Sequence, residues 1–118
     1  MTTSLLGKWG ESLAAEAYRK NGYKIVSVNY RSRFGEIDII AENKSFIVFI
    51  EVKLRKNSNF GAASEFVTYS KQKKLSMTAE IWLSQNETKK QARFDVVEIY
   101  APNGISKDYT INIIENAF

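Results

Sequence analysis

The chain has 118 residues, 44% of them hydrophobic and 13% aromatic, which predicts one folded domain over residues 1–118 with enough apolar material for a core. It has no cysteine and no histidine, which excludes a disulfide framework, a thiolate or imidazole zinc site, a cysteine nucleophile and any Ser-His or Cys-His pair. Its 17 basic against 13 acidic side chains leave a net charge of +4, a mild bias toward a polyanionic partner, and the longest apolar run, Phe46 to Ile50, is far too short for a membrane span, so a cytoplasmic protein with no membrane partner is expected.

In chain order, helical spacing runs from about Ser4 to Asn21, with Ser4 as N-cap and Asn21-Gly22 as the stop. Leu6, Trp9, Leu13 and Ala17 fall on one face of this helix, and Lys8, Ser12, Glu16 and Arg19 form a polar arc. Glu11 belongs to neither. Its neighbours Gly7, Ala14 and Ala15, with Tyr18 two turns on, make a flank of small and aromatic residues over which a helix can approach a sheet closely. Tyr23 to Val28, Glu36 to Ala41 and Ser45 to Leu54 are rich in β-branched and aromatic residues and read as strands, the last two joined by a tight turn at Asn43-Lys44. A second helix runs from about Ser70 to Gln85, where Leu75, Thr78, Ala79, Trp82 and Leu83 repeat at three and four residues, and strands follow at Ala92 to Tyr100 and Tyr109 to Ile114. The order αβββαββ predicts an α/β fold whose mixed sheet places the fourth strand parallel to its partner across a right-handed crossover.

Carboxylates interrupt this apolar pattern at telling places. Phe46 to Ile50 is apolar at every position, as in a central strand covered on both faces. At its far end come Glu51-Val52-Lys53, with Glu51 and Lys53 on one face and Val52 on the other. In Gly35-Glu36-Ile37-Asp38-Ile39-Ile40-Ala41 the alternation puts Ile37 and Ile39 on one side and Glu36, Asp38 and Ile40 on the other. Asp38 can then lie beside Glu51 on the adjacent strand, and two such carboxylates repel unless a cation sits between them. With only oxygen ligands on offer, the cation expected is Mg²⁺ or Mn²⁺. The plainer alternatives are a solvated Glu51–Lys53 surface pair and an Asp38 that caps a neighbouring loop.

Asp38 on one strand, Glu51-x-Lys53 on the next and Glu11 on the preceding helix resemble the active-site pattern of the PD-(D/E)xK nuclease superfamily. More specifically, Gly7-x-x-Gly10-Glu11-x-x-Ala14, Asn29-x-Arg31, Gly35 to Ala41, Phe49-Ile50-Glu51-Val52-Lys53-x-Arg55, Phe60-Gly61 and Val67-Thr68 through Lys71-Gln72-Lys73-Lys74-Leu75 together resemble the YraN-like family. That is a family of uncharacterised proteins predicted to be endonucleases distantly related to archaeal Holliday-junction resolvases. The resemblance spans Gly7 to Ile99. It implies a restriction-endonuclease-like αβββαβ core with an extra C-terminal strand. It also implies roles: Asp38 and Glu51 as metal ligands together with the Val52 carbonyl, Glu11 as a further ligand or water-holding carboxylate, and Lys53 beside the attacking water. The chain departs from the usual pattern at Ile37, where the superfamily has proline before the motif aspartate, and at Tyr69, where many relatives open the second helix with proline.

Such a set suffices for metal-assisted phosphodiester hydrolysis, with the lysine offsetting charge on the transition state. Whether one ion or two is held stays open at this level, because Glu11 and Glu36 are both candidates for completing the set, and Glu11 is favoured by the resemblance. Between residues 51 and 75 lie six basic and two acidic side chains, a net of +4 that equals the charge of the whole chain. Arg55, Lys56, Lys71, Lys73 and Lys74 are thus candidates for contact with a nucleic-acid backbone, most readily DNA, with Gln72, Arg31 and Arg33 as further phosphate contacts. Cleavage of a four-way junction would require a homodimer, since both strands must be cut. The function expected is a metal-dependent endodeoxyribonuclease acting on branched or damaged DNA, and the alternative is a nucleic-acid-binding module that keeps the fold without the catalysis.

Overall fold

The computed structural model describes residues 4–56 and 67–118, so the Phe60-Gly61 motif and Glu65 lie outside the described residues. Seven elements follow one another: α1 (Leu5–Lys20), β1 (Lys24–Ser32), β2 (Gly35–Glu42), β3 (Phe46–Arg55), α2 (Tyr69–Gln85), β4 (Gln91–Tyr100) and β5 (Thr110–Ile114). The five strands form one sheet in the order β1-β2-β3-β4-β5, antiparallel throughout except for the parallel β3–β4 pair that flanks the α2 crossover. This is the expected mixed α/β architecture, an αβββαβ core with an extra C-terminal strand.

Local chemistry sets the element ends. The Ser4 hydroxyl accepts the Gly7 N–H at 3.0 Å and opens α1, and Gly22, at φ 85, turns the chain out of it. Between β2 and β3 the Asn43 side chain accepts the N–H groups of Ser45 and Phe46 at 2.9 and 2.8 Å, so the predicted turn is an Asx turn closed by its own first residue. Thr68 caps α2 by accepting the Lys71 N–H at 3.2 Å. Tyr69 takes the first helical position, where proline is tolerated for want of a partner for its N–H, and the residue is 80% exposed.

Each face of the sheet carries a helix and its own core. On the α1 side Ala14, Ala15 and Tyr18 pack on Ile39, Ala41, Val48, Ile50, Val97 and Ile99. On the α2 side Leu75, Ala79 and Trp82 pack on Ile37, Ile40, Ile47, Phe49 and Val96. The apolar run of β3 is therefore buried on both faces, as its composition predicts.

The most deeply buried side of α1 is Gly10, Ala14, Ala15 and Tyr18, so the flank of small and aromatic residues is the one that approaches the sheet, with Trp9 and Leu13 partly buried against the same core. Two expectations need correction. β1 continues to Ser32, four residues past Val28, because its polar second half pairs with β2 as far as the Gly35 turn. Ile37 and Ile39 do not share a face: Ile37 joins the α2-side core and Ile39 the α1-side core, so strict alternation fails between them, at Asp38.

Candidate active site

The paired register of β2 with β3 runs from Glu42↔Ile47 to Ile39↔Ile50 and ends there. Past that point the strands splay, and the Asp38 carboxylate enters the gap, where its Oδ2 accepts the Val52 N–H at 2.8 Å. A side chain has replaced a ladder carbonyl. Since the N–H and C=O of a strand residue point to the same edge, the Val52 carbonyl also faces this gap. On its other edge β3 stays fully paired with β4 through Glu51↔Val96 and Lys53↔Glu98.

Glu11, Glu36 and Asp38 converge here, each offering a carboxylate oxygen within 4.8 Å of the others. Glu11 comes from α1, which reaches the sheet closely because Gly10 lies against Leu54; a Cβ at Gly10 would stand 3.1 Å from the nearest Leu54 methyl. Asn29 Nδ2 donates to Glu11 Oε1 at 3.2 Å, and Arg31 Nε donates to Glu36 Oε2 at 3.0 Å. The set is all oxygen and carries no sulfur or imidazole, which suits a hard divalent ion such as Mg²⁺ or Mn²⁺.

Glu51 approaches from the α2 side. It is 7% exposed, and its Oε1 accepts Lys71 Nζ at 2.8 Å with Lys53 Nζ at 3.5 Å. Burial and the neighbouring Glu51 push the Asp38 carboxyl up to about 7, against the opposing hydrogen bond from Val52. Burial also raises Glu11, with Glu36 and Glu51 adding to it and the Asn29 hydrogen bond opposing. Burial lowers the Lys53 ammonium, helped by the adjoining Lys71. Burial alone would lower Lys71 too, but its contact with Glu51 outweighs that and holds it above the ordinary lysine range. The site is thus a crowd of carboxylates, with Glu51 paired to two lysines on the α2 side and Glu36 paired to Arg31 on the other.

Of the residues named from sequence, Glu11 and Asp38 gather with Glu36, which stands with Glu11 rather than in place of it, and Asp38 accepts the Val52 N–H; Glu51 lies outside that triad, paired with Lys53 and Lys71 on the α2 side. The basic residues divide. Lys71 turns inward to Glu51, and Gln72 Nε2 donates to the Val67 carbonyl at 2.9 Å, closing the approach to α2. Lys56, Lys73 and Lys74 are exposed, Arg55 is half-buried, and Arg33 lies 4.8 Å over the Phe34 ring.

Sequence reasoning passed over a second polar constellation. Asp95 on β4 is fully buried, takes a two-pronged Arg93 contact at 2.9 Å on each oxygen, and also accepts the Tyr18 hydroxyl at 2.6 Å and the Asn116 N–H at 3.0 Å. Arg93 reaches on to the Tyr23 hydroxyl at 2.8 Å and lies 4.7 Å over the Phe46 ring. Arg93 and Asp95 lie two apart on a strand, on one face, a spacing that could have flagged them as partners.

A family model described as "Uncharacterised protein family UPF0102" matches residues 10–99. A relative from Caldicellulosiruptor bescii, named "UPF0102 protein", is 43% identical over 122 residues and covers 100% of both chains. Another of that name, from Clostridium botulinum (strain Loch Maree / Type A3), is 42% identical over 115 residues, 96% of this chain and 93% of the relative. No described helix is long and apolar enough to cross a membrane.

Proposed function

The chain belongs to the uncharacterised protein family UPF0102, the YraN family, and on the arrangement of its carboxylates we propose that it is a divalent-metal-dependent phosphodiester hydrolase, an endodeoxyribonuclease acting on branched or damaged DNA. The observation that carries the reading is the Asp38 carboxylate in the strand gap, bonded to the Val52 N–H and gathered with Glu11 and Glu36.

Asp38, Glu11, Glu36 and Glu51 would hold Mg²⁺ or Mn²⁺, with the Val52 carbonyl facing the same gap. When bound, such an ion supplies Lewis acidity, acidifying water and offsetting charge on phosphodiester oxygens. The chain's own groups do the rest. Val52 N–H fixes Asp38 so that one carboxylate oxygen stays turned to its acidic neighbours. Glu51 holds Lys53 and Lys71, and Lys53 Nζ puts a compact positive charge beside the phosphate as negative charge builds in the transition state. Lys56, Lys73 and Lys74 lie on exposed surface and would steady the nucleic-acid backbone, with Arg31, Arg33 and Arg55 as further contacts. A chain with one such site cuts both strands of a junction only as a homodimer, which sedimentation at micromolar concentration tests.

The function is tested on a panel of linear, nicked, flapped and four-way DNA with Mg²⁺ or Mn²⁺. Asp38→Ala and Lys53→Ala should each lower cleavage by about 10² or more. Unchanged activity in both variants overturns the mechanism. Salt-sensitive binding with no metal-dependent cleavage of any substrate would favour the non-catalytic nucleic-acid-binding module, and cleavage confined to the same panel built in RNA would change the substrate class.

A further inference from the structure

β1 carries a backbone anomaly beside the candidate site. Asn29 lies at φ 53 in the interior of a nine-residue strand, in the left-handed region that non-glycine residues enter only under constraint, asparagine more readily than most. Its neighbours pair across β2 as Val28↔Ile39 and Tyr30↔Ile37, so Asn29 stands opposite Asp38.

The sheet faces exchange at this pair. Ile39 belongs to the α1-side core, whereas Ile37 and Tyr30 belong to the α2-side core. The two strands switch together. With Ile37 turned to α2, Glu36 comes round to meet Glu11 on the α1 side, and Asp38, at the crossover, points along the sheet to the Val52 N–H. A strand of unbroken alternation would not bring these three carboxylates together.

The Asn29 side chain acts on the same cluster. Its Nδ2 donates to Glu11 Oε1 at 3.2 Å, while its Oδ1 is buried with no hydrogen-bond partner. A buried amide oxygen left unpaired needs an explanation, because such groups are ordinarily satisfied. The residue also lines a groove with Lys8, Ser12 and Val28 that leads to Glu11 from outside.

We propose that Asn29 is a positioning residue of the candidate site: its left-handed backbone turns Glu36 and Asp38 toward Glu11, and its amide fixes the Glu11 carboxylate. Partners that orient a ligand contribute to affinity nearly as the ligands do. The inference rests on the reading that these carboxylates hold a divalent cation.

Glycine adopts the left-handed region without strain, so Asn29→Gly removes the amide and spares the backbone. Binding of Mn²⁺ to the purified chain, followed by the loss of the free-ion electron paramagnetic resonance signal, is compared in wild type, Asn29→Gly, Glu11→Gln and the double variant, with thermal melts on each. Asn29→Gly should keep the wild-type melting temperature to within a few degrees and weaken Mn²⁺ about 10- to 100-fold. In the Glu11→Gln background the same change should weaken Mn²⁺ less than threefold further, because the amide has lost the carboxylate it orients. Wild-type affinity in Asn29→Gly, or a full additive loss in the double variant, overturns the role of Asn29 and leaves the cation reading standing. Absence of Mn²⁺ binding by the wild type overturns the cation reading and this inference with it.

Discussion

Asp38 is the side chain on which the site turns, and its protonation couples the site to pH. Its pKa of about 7 lies above the ordinary 3.8, chiefly because burial and Glu51 disfavour the charge. A group raised in the folded state contributes stability that is complete below its unfolded pKa and is lost as pH rises through the folded one. From this group the metal-free chain should therefore lose stability between about pH 4 and 7. Thermal melts across that window should show the melting temperature falling, and Asp38→Asn should flatten the trend. If the carboxylates hold Mn²⁺, its binding should strengthen over the same window, because a carboxylate must be ionised to ligate. These residues were legible in sequence since each breaks an apolar run or a small-residue flank. The gathering of both Glu11 and Glu36 was not, because it depends on the left-handed Asn29, which no alternation rule anticipates. Lys71 was read as part of a basic run, and only the crossing of α2 over β3 turns it to Glu51.

Among the elements, α1 and β4 do most to hold the site's surroundings. Gly10 sets the approach of α1, since a Cβ there meets Leu54 side-chain atoms at 3.1 to 3.2 Å. Gly10→Ala gains about 1 kcal/mol of helix propensity against that tight contact and should be near neutral. Gly10→Val, with a branched side chain in the same space, should cost about 1–3 kcal/mol in a urea melt and displace Glu11 with it. At the other end of α1, Tyr18 and Tyr23 tie the helix and the start of β1 to the Arg93–Asp95 pair. Asp95→Ala leaves a guanidinium buried without its carboxylate and should cost about 3–5 kcal/mol by the same measurement. Most element boundaries followed from capping residues and turns. The buried pair did not, because a charged residue in a strand reads as a surface residue until its partners from α1 and the C-terminal tail are known.

For the whole molecule, the charge of +4 is concentrated between residues 51 and 75. Lys73 and Lys74 are exposed there, while Lys71 is spent on Glu51. If the exposed pair contacts phosphates, Lys73→Gln and Lys74→Gln should each reduce the salt slope of DNA binding by about 1, measured by fluorescence anisotropy across a salt series. Lys71→Gln should act mainly on cleavage.

The β3–β4 pairing, ten residue pairs from Phe46↔Gln91 to Arg55↔Tyr100, also bears on how the chain folds. Every one of these pairs joins residues 45 positions apart, whereas the β1–β2 hairpin closes over a two-residue turn. The hairpin can therefore form early, but the strand bearing Glu51 and Lys53 gains its longest ladder only after the α2 crossover has been closed at an entropic cost. Stopped-flow refolding should find Tyr30→Ala slowing folding and Val97→Ala mainly speeding unfolding. The end of the sheet that bears the candidate site would then be assembled late.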